Sequence, residues 1–171
     1  LATDSMTING VNIGATSAAV GTAATAKDLA DAINSVTDKS GVTASAKTEL
    51  FLNMTMQAGS QTATNSSGDA LTINGIAMST TTANATTAAI VTELNSVSSS
   101  GGLGITAELV ANNIIKLTHE TGGDISITEG SDNVGLIDSI VHGDGSSRDQ
   151  AGASATFATG SVNVYGGQLT L

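Results

Sequence analysis

The chain has 171 residues, with 15 Asp and Glu against 5 Lys and Arg for a formal net charge of −10, and it contains no Pro, Cys or Trp. Without Cys there is no disulfide framework, thiolate metal site or cysteine nucleophile, and so few cations exclude the basic patch that nucleic acid or an anionic membrane surface requires. Aromatics are only 2%, so any core is built from Ala, Val, Ile and Leu, and no apolar run approaches the roughly 20 residues of a spanning helix.

Taken from the N-terminus, residues 1–10 have neither the basic flank nor the apolar stretch of a signal peptide, and the chain reads as a segment of a longer protein. Thr7-Ile8-Asn9-Gly10-Val11 then predicts a hairpin, because a type I′ turn needs positive φ at both central residues and Asn and Gly tolerate it. Ile8, Val11 and Ile13 supply its strands. Next, Ala26, Leu29, Ala30, Ile33 and Val36 fall at the spacing of one buried helical stripe. Thr25 is its N-cap, with Asp28 three residues on. After Gly41 the period changes to two. Val42, Ala44 and Ala46 alternate with polar residues, a turn is expected at Thr48-Glu49, and Leu50, Leu52, Met54 and Met56 form the return strand.

The polar run from Ala58 to Asp69 marks a loop, and beyond it the same landmarks recur. Thr72-Ile73-Asn74-Gly75-Ile76 repeats the hairpin, Glu93-Leu94-Asn95-Ser96-Val97 echoes Ala32-Ile33-Asn34-Ser35-Val36, and Gly104-Ile105-Thr106-Ala107 echoes Gly41-Val42-Thr43-Ala44. The order is kept, at spacings of 61 to 65 residues. The second helix carries Ile90, Leu94 and Val97 on one face and Thr86 or Thr87 as cap. Ile105, Ala107 and Leu109 alternate with polar residues, Asn112-Asn113 offers a turn, and Ile115 with Leu117 carries the return strand. Further strands are expected at Ile125 to Thr128, Val162 to Tyr165 and Gln168 to Leu171. Each repeat is thus a hairpin, a helix and a second hairpin, which predicts an α+β fold of two tandem modules. The expected divisions are a first module over 1–68, a second over 69–143, and C-terminal strands over 144–171 that return toward the body of the longer protein.

Over residues 5–128 this pattern resembles the flagellin hook IN motif, in tandem, as in the variable central region of bacterial flagellins. The matching positions are Asn9, Gly10, Ile33, Asn34, Gly41 and Val42 with Thr43 and Ala44, and in the second copy Asn74, Gly75, Asn95 and Gly104, where Leu94 and Glu93 replace the motif's Ile and Ala. The resemblance implies a structural, non-enzymatic, extracellular segment on the surface of the flagellar filament, contributing to motility. It implies partnership with other flagellin subunits through regions outside this chain, and contact with host receptors or antibodies. It also implies O-linked glycans, for which Thr80, Thr81 and Thr82 are candidate acceptors. Terminal polymerising helices would need sustained heptads, which this chain lacks. A filament-cap or hook-associated protein is the nearest alternative.

Other chemistry is weakly signalled. His119 ends a strand beside Glu120 and His142 lies in a Gly-rich turn, with no nucleophile framed near either. Gly101-Gly102-Leu103-Gly104 precedes a strand and no Lys follows, unlike a phosphate cradle. Asp124, Glu129, Asp132, Asp138, Asp144 and Asp149 could offer oxygen ligands to calcium, which leaves a calcium-dependent surface adhesin as a further alternative. They do not follow the spacing of a calcium loop. The expectation is no catalytic site, no metal and no cofactor.

Overall fold

The computed structural model describes residues 6–16, 24–55, 70–79, 85–129, 136–143 and 162–171. In chain order they form β1 (Thr7–Ile8), β2 (Val11–Asn12), α1 (Ala26–Asn34), α2 (Thr37–Ser40), β3 (Ser45–Met54), β4 (Leu71–Ile73), β5 (Ile76–Met78), α3 (Thr87–Gly101), β6 (Ile105–Ala111), β7 (Ile114–His119), β8 (Ile125–Thr128), β9 (Ile137–His142), β10 (Val162–Tyr165) and β11 (Gln168–Thr170). The pairs β1–β2, β4–β5, β4–β8, β8–β10, β3–β9, β3–β11 and β6–β7 are antiparallel, and the fold is α+β. Two compact units result. One draws on Leu1–Thr48, Glu120–Asp124 and Gly166–Leu171, the other on Glu49–His119 and Ile125–Tyr165.

The first unit holds the β1–β2 hairpin, both short helices, the first residues of β3, and β11. Among its described residues the buried aliphatic side chains are Ile13, Ala30, Ala32, Ile33 and Ala46. β11 pairs with Ser45–Lys47. The return segment at Gly122 closes on this strand so tightly that a Cβ there would sit 2.3 Å from the Ala46 Cβ, so the position needs glycine for space as well as for its φ of 74°. Thr48 Oγ1 donates to the Gly123 carbonyl at 2.7 Å, and the Lys27 N–H donates to the Gly122 carbonyl at 3.3 Å.

The second unit carries the main core. One four-stranded sheet has the order β10-β8-β4-β5, and β9, the later half of β3, β7 and β6 belong to a second, five-stranded sheet. Leu50, Leu52, Met54, Leu71, Ile73, Ile90, Leu94, Ile115, Leu117, Ile125 and Ile127 belong to one buried cluster to which both sheets and α3 contribute. At about 1.5–3 kcal/mol for each large aliphatic side chain removed from water, this cluster dominates the stability of the unit.

Three sequence expectations change. β3 runs straight through Thr48-Glu49, where a turn was expected, so the first repeat has no second hairpin among the described residues. The reason is visible in its burial, which alternates without interruption from Ala46 through Thr48, Leu50 and Leu52 to Met54. The helical stripe ending at Val36 is broken: α1 stops at Asn34, Val36 adopts φ −119° and ψ 14°, and the short α2 follows. His142 lies at the end of β9, buried, rather than in a turn. Met56 and the 58–69 loop fall outside the described residues.

Candidate functional site

The motif residues assemble into a recurring brace rather than a pocket. At Asn9-Gly10 the backbone takes φ of 51° and 77°, the type I′ turn the pair demands, and Asn9 Nδ2 donates to the Ser40 carbonyl at 2.9 Å. Thr25 caps α1 in a capping box: its Oγ1 accepts from the Asp28 N–H at 3.2 Å, while the Asp28 carboxylate accepts from the Thr25 N–H at 2.9 Å. Ile33 is fully buried. Its neighbour Asn34 reaches across to the segment between Gly41 and β3, where Nδ2 donates to the Ala44 carbonyl and Oδ1 accepts from the Ala44 N–H, each at 2.8 Å. Three residues on, Thr37 Oγ1 donates to the Val42 carbonyl at 2.9 Å. Gly41 ends α2 in the left-handed region at φ 70°.

The second set repeats this geometry. Asn74-Gly75 turns at φ of 48° and 79°. Thr86 caps α3 by accepting from the Ala89 N–H at 3.2 Å, without the reciprocal carboxylate. Asn95 donates to the Ala107 carbonyl and accepts from the Ala107 N–H, each at 2.8 Å. Three residues on, the Ser98 hydroxyl bonds the Ile105 carbonyl and accepts from the Ile105 N–H. Gly104 has φ 66°. In both sets a helical Asn holds both backbone groups of the Ala in Gly-x-Thr-Ala, fixing the helix to the chain that follows. The role of Asn34 and Asn95 as braces, and of Thr37 and Ser98 beside them, was not deduced from sequence. The available signal was an Asn and a hydroxyl three residues apart ahead of that tetrapeptide.

The other candidates do not converge. His142 packs its ring 5.6 Å from that of Tyr165 at 56°, a core contact. His119 ends β7, close enough to Gly104 that a Cβ there would lie 3.0 Å from Nε2. Glu129 is buried and accepts from the Ile137 N–H at 2.6 Å, tying β8 to β9. Lys116 and Glu49 pair at 2.9 Å across β7 and β3. Lys27, bonded to Asp31, has its ammonium pKa raised above the ordinary lysine value by that hydrogen bond and then by the carboxylate charge. Among the described residues no three His, Cys, Asp or Glu lie together in a way that could hold a metal ion. Asp132, Asp144, Asp149 and the candidate acceptors Thr80, Thr81 and Thr82 lie outside the described residues. Among those described, no helix is long and apolar enough to cross a membrane.

What the braces can do is mechanical: they lock turn, helix and strand at fixed angles. Among curated proteins no relative matches the chain. Residues 5–67 match the family model of the flagellin hook IN motif, which supports a flagellin-related protein, and that family is structural rather than enzymatic.

Proposed function

We propose that this chain is a structural segment from the outer, variable part of a flagellin, two tandem hook IN modules displayed on the extracellular face of the flagellar filament. The observation that carries the reading is the doubled brace. The motif match covers residues 5–67, and the bonds that join Asn34 to Ala44 in that stretch recur between Asn95 and Ala107. Such a segment works by shape. Small aliphatic cores hold a projection whose acidic, hydroxyl-rich surface stays hydrated and repels its own copies, while subunit polymerisation belongs to regions outside this chain. On this reading the modules span 1–68 and 69–143, residues 144–171 return toward the rest of the protein, and Thr80, Thr81 and Thr82 accept O-linked sugars.

Immunogold labelling of the intact source cells with antibodies to the 171-residue chain tests it. Label along the filament shaft is the expected result. Label confined to the tip or the hook would identify a cap or hook-associated protein instead, and label over the cell body a surface adhesin. Intact-mass analysis of the native protein, with the hexose ladder mapped by fragmentation, tests the three threonines.

A further inference from the structure

The two Asn-Gly hairpins have the same register but not the same company. In β4–β5, Leu71 faces Met78, Thr72 faces Ala77 and Ile73 faces Ile76. In β1–β2, Thr7 faces Asn12, Ile8 faces Val11, and the Ile13 N–H donates to the Met6 carbonyl at 3.1 Å. The outer edge of β4 is occupied by β8: Thr72 pairs with Thr128 and Ile73 with Ile127, and the turn residue joins in. The Asn74 N–H donates to the Ser126 carbonyl at 2.9 Å, and Asn74 Oδ1 accepts from the Ser126 N–H at 2.7 Å. Among the described residues, β1 pairs with β2 alone. Leu71 and Ile73 are fully buried, whereas the equivalent Met6 is 45% exposed and Ile8 is part-exposed.

Alternation dictates what β1 leaves open. Met6 and Ile8 direct their backbone groups at β2, so those of Thr7 and the Asn9 N–H point outward, and Asn9 Oδ1 has no partner among the described residues. That is the same set of donors and acceptors that Ser126 and Thr128 satisfy on β4.

We propose that the outer edge of β1 is a docking edge for an extended segment of another protein. The segment adds antiparallel, alternates β-branched aliphatic with hydroxyl side chains as Ile125-Ser126-Ile127-Thr128 does, and covers Met6 and Ile8 with its aliphatic face. The edge itself, Thr7-Ile8-Asn9, is uncharged, but the chain around it carries a net charge of −10. A second copy would be repelled, and a segment with neutral or basic flanks is drawn in. The inference stands on the two hairpins and not on the filament reading, so either can fail without the other.

The test uses the whole chain and a fluorescein-labelled, end-blocked peptide Lys-Ile-Ser-Ile-Thr-Lys, followed by anisotropy and by residue-resolved amide exchange. Saturable binding is expected, with slowed exchange at the Thr7 and Asn9 amides. Thr7→Pro removes an outward N–H that an edge strand can lose without unfolding, and should weaken binding about tenfold. Asn9→Gly keeps the positive φ but removes Oδ1, and should weaken it several-fold; it decides the matter if the proline variant does not fold. Unchanged exchange at Thr7 and Asn9, binding indifferent to both variants, or dimerisation of the unliganded chain through this edge in sedimentation would each overturn the proposal.

Discussion

The hairpins β1–β2 and β4–β5 share turn chemistry and pairing register, and among the described residues only β4–β5 is built into a larger sheet. In the second, β8 and β10 extend the ladder, and Leu71, Ile73 and Met78 are fully buried. In the first, Ile13 is buried and Met6 stands in solvent. The turn is therefore a local product of Asn-Gly, while burial is decided by strands that arrive from 50 residues away, as Ser126 does to Asn74. The helices differ in the same way. α3 runs unbroken over 15 residues, whereas its counterpart is a nine-residue α1 and a four-residue α2.

The sharpest way to break the comparison is to truncate equivalent residues. Ile73→Ala should cost about 2–5 kcal/mol, the range for a fully buried aliphatic side chain, and Met6→Ala less than about 0.5 kcal/mol. Urea titration with residue-resolved amide exchange reads each unit separately, and similar losses at both positions would mean that the hairpins are equally embedded. Next in size are the glycines of Gly-x-Thr-Ala. Both have positive φ, so an Ala at either costs about 1–2 kcal/mol for the left-handed backbone. At Gly41 a Cβ meets nothing within 4 Å, but at Gly104 it comes within 3.0 Å of His119. Gly104→Ala should accordingly destabilise more than Gly41→Ala, and the His119 ring resonances should move only in the former.

The Asn braces come third. Asn95 and Asn34 make the same two 2.8 Å bonds, but the Asn95 pair is part-buried and the Asn34 pair exposed. Water can replace the lost partner at Ala44 and less readily at Ala107. Asn95→Ala should cost about 1–3 kcal/mol and Asn34→Ala about 0.5–1.5 kcal/mol. Faster exchange of the Ala107 amide than of the Ala44 amide, relative to the parent chain, is the accompanying signature.

What the sequence disclosed was local. Asn9-Gly10 and Asn74-Gly75, the cap at Thr25 with Asp28, and the stripe through Ile33 each depend on residues within one turn or one helix, and each is where the residues pointed. Missed features depend on distant partners or on continuity. Thr48-Glu49 was read as a turn because a hairpin was expected there, yet neither residue favours positive φ, and Thr48 is buried with its hydroxyl on Gly123. β9 went unrecognised because Asp138 and Ser139 interrupt its aliphatic residues, and pairing with β3 from Leu50 to Met54 supplies what its own pattern lacks. Glu129 was weighed as a calcium ligand, and its carboxylate instead serves the Ile137 N–H.

The smallest effect sharpens the comparison by construction rather than by loss. α1 starts with a full capping box, since Asp28 answers Thr25, while α3 starts with half of one, because Ala89 occupies the position of Asp28 behind Thr86. Ala89→Asp should complete the second box. The added carboxylate would accept from the Thr86 N–H and lie at the positive end of the helix dipole, for a gain of under about 1 kcal/mol. Asp28→Ala should cost α1 a similar amount. The measurement is amide exchange in the first turn of each helix, slowed at Thr87–Ala89 in one variant and quickened at Ala26–Asp28 in the other. If Ala89→Asp destabilises α3, the start of that helix is held by its neighbours and not by its cap. Thr87 already bears on this: it is buried, with its hydroxyl donating to the Asn112 carbonyl at 2.7 Å.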